Sequence, residues 1–464
     1  MVLKSINPTT EDVVETFEEF SPAQIDAALQ QAYDAQRRWR KTSFGERSAR
    51  LQNTARALRA QKSRLAALAT REMGKPIVEA EAEVEKCAYN CDFYAEHAAT
   101  FLADEHVQMN LSDSFVAFEP LGVVLAIMPW NFPFWQVFRF AAPALMAGNG
   151  AVLKHASNVP SCALAIEDIL RTAGLPDGLL RTVLVPGSGV EPLIADPRIA
   201  AVTLTGSSEV GERVAGAAGR HLKKQVLELG GSDPFIVLAD ADLDAAVKVA
   251  VRARNQNNGQ SCIAAKRFIV EAGAADQFTE KFAATVKALH VGDPMQRETN
   301  IGPLARGDLR ETLATQVERT VKAGAHALTG GASLDGKGYF YAPTVLDGVS
   351  QDMPAFREET FGPVAAVIRA RDPEDAVKLA NDTEYGLGAA LWTGNVERGK
   401  DLARHIEAGN VFINGMVASD PRIPFGGIKR SGYGRELGSY GIKEFVNIQT
   451  IVVGQPAAPP PPAE

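Results

Sequence analysis

Cysteine is scarce in this chain. Cys87, Cys91, Cys162 and Cys262 are the four in 464 residues, too few for a disulfide framework. Cys87 and Cys91 fall four apart in a helical pattern, so they share a face and read as two small core residues. The seven histidines are scattered, without HExxH or any other ligand spacing, and no metal site is expected. Positive charge is short as well. The net charge is −8, which speaks against nucleic acid as a partner, since nucleic acid selects basic surfaces. No long block of like charge occurs. The N-terminal MVLKSINPTTEDVVETF has neither the apolar centre nor the small-residue cleavage site of a signal peptide, so the cytoplasm is the expected compartment.

Long apolar runs are nearly absent too, with one exception. No charge occurs from Leu121 to Phe138, a length that reaches the threshold for a membrane helix. Pro129 and Pro133 interrupt the run, and Asn131 and Gln136 dilute it, so no membrane span is expected. Arg139 follows, and then nothing charged until Lys154. A buried, unpaired charge is costly. Arg139 must therefore reach water, pair with a protein acid, or receive a ligand's acid.

What is present points to an α/β protein of two or three domains. Residues 21–103 read as helices. SPAQIDAALQQAYDAQRRW opens on a Ser cap followed by Pro, with apolar residues recurring at three- and four-residue spacing. From Val116 short β-branched runs alternate with helical segments: GVVLAIMP, GAVLKHA, TVLVPG and AVTLTGS. That texture indicates a parallel sheet covered on both faces. A second series, PFIVLAD, RFIVEAG, PTVLDG and PVAAVIRA, suggests another α/β domain over 231–440. NIQTIVVG reads as a last strand in need of a sheet, in this chain or a partner. The polyproline tail, 456–464, reads as disordered.

Three stretches could carry chemistry. In NNGQSCIAAKR, Cys262 is either a nucleophile or a small buried residue, and Gly259 before it would leave room for a substrate. In LELGGSDP, Glu228 sits among apolar residues, where desolvation raises a carboxyl pKa toward that of a general base working near neutral pH; a surface Glu at a strand end is the alternative. VPGSGVEP fails as a dinucleotide fingerprint because Pro192 stands at the third glycine position. TLTGSSEVGERV is better: Gly206 and Ser207 end a strand and open a helix whose free N–H groups can hold a phosphate.

Taken together, PWN, LK, TGS, ELGG, GQSC, EETFGP and PFGGIKRSGYGRE, in this order and spacing, resemble the aldehyde dehydrogenase superfamily, and within it the succinate-semialdehyde dehydrogenase branch. The resemblance runs from INPTTEDVV at residue 6 to about Val453. It implies a Rossmann-like cofactor domain (1–102 and 119–230), an α/β catalytic domain (231–440) and a small β oligomerisation element (103–118 and 441–455) that builds homodimers or homotetramers. It implies NAD(P)-dependent oxidation of succinate semialdehyde through a thiohemiacetal and a thioester. By the same resemblance Cys262 is the nucleophile, the Asn131 amide and the Cys262 N–H form the oxyanion hole, and Glu228 activates the hydrolytic water. Lys154 binds a cofactor ribose, Gly206 and Ser207 the pyrophosphate, and Glu359 the nicotinamide ribose. Phe361 lies beside the nicotinamide ring, and Trp130 and Leu229 line the cleft. For the substrate, a helix over 133–147 would put Trp135, Phe138 and Arg139 on one side. Arg139 would clamp the distal carboxylate, with Ser419 and Ser261 as further contacts.

Some positions depart from the common pattern. Ser157 stands where many NAD-using relatives carry a glutamate that repels a 2′-phosphate, so NADP is expected to be preferred over NAD. Ala264 replaces the second cysteine that some relatives pair with the nucleophile. Ser232 has no account. The alternatives are a dehydrogenase of another short aldehyde such as glutarate semialdehyde, a CoA-acylating enzyme, which would not need Glu228, and a non-catalytic protein that kept the fold.

Overall fold

The computed structural model describes residues 2–109 and 113–454. The expected disordered tail, 456–464, lies outside the described residues, as do 110–112 and 455 of the segments expected to join subunits. A hairpin of Val2–Ile6 and Val13–Glu18 comes first. Four helices follow: Pro22–Trp39, Phe44–Ala60, Lys62–Met73 and Ile77–Phe101. Their ends are written in the sequence. Ser21 and Gln24 close a reciprocal capping box on the first, and Ser43 and Glu46 close another on the second. Gly74 ends the third at φ 83°, where a Cβ would come within 2.7 Å of the Pro303 carbonyl oxygen. Cys87 and Cys91 are buried on the fourth helix as free thiols.

The first large sheet has the order Gly432–Tyr433, Lys224–Glu228, Ile199–Thr205, Val123–Met128, Gly150–His155, Leu180–Thr182. It is parallel except for the first pair. The chain reverses its direction of travel across the sheet between Val123–Met128 and Ile199–Thr205. A crevice outside the strand ends at such a switch point is where doubly wound sheets bind ligands. Side-chain alternation splits the central strand between two cores. Val124, Ala126 and Met128 pack toward the helical bundle, and Val123, Leu125 and Ile127 pack on the opposite face. This answers the uncharged run: it is a strand buried on both faces, then a helix. TVLVPG is strand only at its start: Leu180–Thr182 pairs in the sheet, the Val183 N–H still donates to the Leu153 carbonyl at 2.9 Å, and the chain then leaves toward Pro186.

The second large sheet runs His326–Thr329, Thr344–Asp347, Val364–Ala370, Ala265–Glu271, Asp233–Val237, Gly388–Trp392, Asn410–Ile413. Only its first pair is antiparallel. The two sheets make the α/β class expected. The last strand, Val446–Val453, pairs along its length with Asp113–Pro120 of its own chain, from Val446 opposite Pro120 to Val453 opposite Asp113. Glu105–His106 adds the third strand of this small sheet. Among the described residues no helix is long and apolar enough to cross a membrane.

Candidate active site

Cys262 stands on a tightly pinned loop between the helix Leu243–Asn255 and the strand Ala265–Glu271. Asn257, Asn258 and Gly259 take successive left-handed conformations, with φ of 59°, 57° and 71°. Asparagine and glycine tolerate this region best. The Asn257 amide donates to the carbonyls of Asn131 and Gln260 at 2.8 and 2.9 Å. The Asn258 amide donates to those of Gly74 and Pro303 at 2.8 and 2.9 Å. Arg254, fully buried, donates to the carbonyls of Gly259 and Gly362 at 2.6 Å each. Gly259 does not make room for a substrate: a Cβ there would lie 2.4 Å from the Gly362 carbonyl, so its space belongs to the neighbouring backbone. Lys266 holds the far side of the loop, donating to the carbonyls of Cys262 and Ser261 at 2.7 and 3.0 Å.

Two cavities meet at Cys262, and it alone among the described residues lines both. One, of about 390 Å³, opens at the switch point of the first sheet. Trp130 and Asn131 border it from the end of Val123–Met128, Gly206 and Ser207 from the end of Ile199–Thr205, and Leu229 from the end of Lys224–Glu228, with Glu359 and Phe361 across from them. Trp130 and Phe361 meet edge to face with centroids 5.7 Å apart. Ser207 caps the helix Ser208–Arg220, its hydroxyl accepting the Val210 N–H at 3.4 Å. Leu229 seats against that helix where Gly211 has no side chain; a Cβ there would lie 2.5 Å from Leu229. The Gly231 N–H at 3.1 Å and the Lys266 ammonium at 3.3 Å hold the Glu359 carboxylate.

Lys154 and Ser157 do not line this cavity; they follow on the neighbouring strand Gly150–His155 and the turn after it. Lys154 sits beside Ile127 in the sheet, at the same edge. It is 8% exposed, burial lowers its pKa, and its ammonium makes no hydrogen bond or ion pair among the described residues. Such a cation suits a polar ligand that arrives from outside. Ser157 is exposed. Ser232 is buried, and its carbonyl accepts from Arg267 Nε at 2.9 Å; nothing in the structure explains its hydroxyl.

The second cavity, of about 400 Å³, lies on the other side of the thiol. Trp135, Arg139, Ser261 and Ser419 all line it. The helix runs Trp135–Met146, two residues shorter at its start than expected, because Glu83 accepts the Phe134 and Trp135 N–H groups at 2.8 and 2.9 Å and fixes the first turn there. Trp135 and Arg139, four apart, face the cavity, whereas Phe138 turns into the core.

Arg139 is not waiting unpaired for a ligand. It is 2% exposed, its Nε pairs with the Glu436 carboxylate, and its Nη2 donates to Thr205 Oγ1 at 3.3 Å. Its guanidinium also lies 5.1 Å from the Phe425 ring centre. The physical reason is desolvation: a cation this deep needs a permanent counter-charge for the protein to fold around it. Glu436 stands inside the PFGGIKRSGYGRE motif, yet no sequence signal pairs it with a residue on a helix so distant in the chain. Lys86 was equally hidden. It lines the same cavity, donates to Ser419 Oγ at 2.8 Å, and lies 4.2 Å from the Trp135 ring centre.

Glu228 is 2% exposed, and neither carboxylate oxygen has a hydrogen-bond partner. Burial raises its pKa well above the ordinary carboxyl range. Arg139 opposes the rise, and Glu436 adds to it. The carboxyl is therefore poised to hold a proton and to give it up. Burial also pushes the Cys262 thiol up to about 12, with Arg139 and Lys266 pulling the other way. The Asn131 amide donates to the Gln260 carbonyl at 3.1 Å, which fixes it beside the thiol's loop. A thiol between two cavities, a buried base and a fixed amide donor together suit nucleophilic attack on a carbonyl.

The family model for the aldehyde dehydrogenase family matches residues 1–451. The chain belongs to the aldehyde dehydrogenase family. Among curated members, it is 55% identical over 451 residues to a Synechocystis protein named "Probable succinate-semialdehyde dehydrogenase (NADP+)", covering 97% of this chain and 99% of that one. It is 51% identical over 454 residues to the Mycobacterium tuberculosis succinate-semialdehyde dehydrogenase (NADP+) 1, with the same coverage of 97% and 99%. Among solved aldehyde dehydrogenases, the succinic semialdehyde dehydrogenase from Streptococcus pyogenes, in complex with NADP+, superposes with a TM-score of 0.95 at 38% identity, covering 98% of this chain and 100% of that one.

Proposed function

We propose that this aldehyde dehydrogenase oxidises succinate semialdehyde to succinate, with NADP preferred over NAD. The observation that carries the reading is the position of Cys262 between two cavities with different linings. One opens at a sheet switch point beside a helix N-terminus and an unpartnered lysine. The other is lined by Lys86, Arg139 and Arg252 beside Glu79 and Glu83, whose carboxylates are bonded to backbone N–H groups, and it suits a short aldehyde bearing a distal carboxylate. The names of the relatives agree with this assignment.

Cys262 gives its thiol proton to solvent, favoured by the Arg139 and Lys266 charges, and attacks the aldehyde carbon as the thiolate, giving a thiohemiacetal. The Asn131 amide and the Cys262 N–H receive the developing oxyanion. When bound, the nicotinamide cofactor supplies the hydride acceptor. Trp130, Gly206, Ser207, Leu229, Glu359 and Phe361 hold it in the switch-point cavity, with Lys154 and Ser157 on its adenosine end. Ser157 places no negative charge against a 2′-phosphate. Glu228 then removes a proton from water, which attacks the thioester and frees the acid. Trp135, Arg139, Ser261 and Ser419 enclose the substrate, with Arg139 acting from within its Glu436 pair. Val446–Val453 is an outer strand of the small sheet, and a second copy of the chain extends this sheet in a homodimer or homotetramer.

The test is a steady-state comparison of succinate semialdehyde, glutarate semialdehyde and butanal with each cofactor. The highest kcat/KM is expected for succinate semialdehyde with NADP. A neutral aldehyde preferred over both acids would overturn the substrate, and a higher kcat/KM with NAD would overturn the cofactor.

A further inference from the structure

Arg139 is the obvious anchor for a substrate carboxylate, yet its charge is already balanced by Glu436. The cavity holds two further cations: Arg252, which is exposed to solvent, and the half-buried Lys86, whose charge is not balanced. Lys86 reaches in from the helix Ile77–Phe101, and among the described residues no carboxylate lies within ion-pair distance of it. The acids around it are committed elsewhere. Glu83, on the same helix, pairs with Lys75 and accepts two backbone N–H groups at the start of Trp135–Met146. Asp420 is bound by Arg422 at 2.7 and 2.8 Å. Glu79 accepts the Asn257 N–H at 2.6 Å. The Lys86 ammonium is meanwhile aimed, by its bond to Ser419 Oγ and its seat over the Trp135 ring. An ammonium held in place without a counter-ion is the arrangement that receives an anion.

We infer that Lys86 is the principal anchor for the distal carboxylate of the substrate, with Ser419 as its partner and Arg139 supplying background positive charge. This rests on the succinate-semialdehyde reading and names the residue that selects for the acid. Burial lowers the Lys86 pKa to about 8, helped by Arg139 and opposed by Cys87, Asp420 and Glu83. The ammonium form, which attracts the carboxylate, therefore dominates below that pH and is lost above it.

The test is the ratio of kcat/KM for succinate semialdehyde to that for butanal, measured with NADP in the intact enzyme. Lys86→Met should lower this ratio about 10- to 100-fold, the range for one hydrogen bond to a charged group. Lys86→Arg should restore most of it. A ratio that Lys86→Met leaves in place removes this inference alone. A wild-type ratio below one removes the substrate reading and this inference with it. Should Lys86→Met be inactive on both aldehydes, the wild-type pH profile decides. Thiol and base ionisation cancel in the ratio, so it should fall as the pH rises through about 8; a flat ratio overturns the inference.

Discussion

The two cavities that meet at Cys262 are almost equal in size, about 390 and 400 Å³, but they are built by different means. The switch-point cavity is made from strand ends. Its residues arrive as adjacent pairs, Trp130 with Asn131, Gly206 with Ser207, and Leu229 with Gly230, each at the carboxyl end of a parallel strand or just beyond it. The other cavity is made from side chains on separate elements: Lys86 from one helix, Trp135 and Arg139 from another, Ser261 from the thiol loop and Ser419 from a distant loop. A wall of strand ends repeats a geometry that any parallel sheet supplies. A wall of long side chains depends on the packing of each. Change on the first side should therefore act on the cofactor, and change on the second should act on the aldehyde.

The largest effect should come from the residue that belongs to both. Cys262→Ala should lower turnover by about four orders of magnitude or more, with the unfolding midpoint little changed. Residual turnover near the wild-type rate would break the view that the cavities serve one thiol.

Glu228→Gln should slow steady-state turnover by about 10²–10⁴-fold while leaving a rapid first burst of reduced cofactor, seen by stopped-flow absorbance. Because burial holds the Glu228 pKa high, its basic form grows as the pH rises, and wild-type turnover should climb with pH. Loss of the burst along with turnover would move Glu228 to the first chemical step.

Glu436→Gln probes the packing of the side-chain-built wall. It strands the Arg139 cation, and breaking one member of a buried pair typically costs about 3–5 kcal/mol, to be read by urea unfolding. Arg139→Ala strands Glu436 in the same way and should depress turnover of succinate semialdehyde and butanal alike. A selective loss of the semialdehyde would restore Arg139 as its direct clamp.

Ser157→Glu should have the smallest effect and should be confined to the other side. It should shift the NADP-to-NAD ratio of kcat/KM toward NAD by about 10- to 100-fold, since like charges are set side by side but in an exposed position where solvent screens them. The semialdehyde-to-butanal ratio should stay put, and a parallel change there would show that the two walls are coupled.

The strands near GVVLAIMP and AVTLTGS, the helix caps at Ser21 and Ser43, and the pairing of motifs with strand ends were all legible in the chain, because each is a local matter of alternation, capping and turn chemistry. So was the direction of the Glu228 pKa shift, since a carboxyl in an apolar stretch is desolvated on folding, although its sheet partners, Thr205 and Gly432, were not. The partners of the cations were not. Lys86 and Ser419 are 333 residues apart, and Glu436 reaches Arg139 only once the first sheet, the helical bundle and the C-terminal loop have closed on one another. Gly259 was misread for the same reason, its missing side chain serving a backbone that returns about a hundred residues later. Sequence by itself determined which residue types stand at the ends of which strands, since period and turn propensity are short-range. Tertiary structure alone decided which charges meet, because a buried charge pairs with whatever acid the packing brings within a few ångströms, and chain distance does not enter that energy.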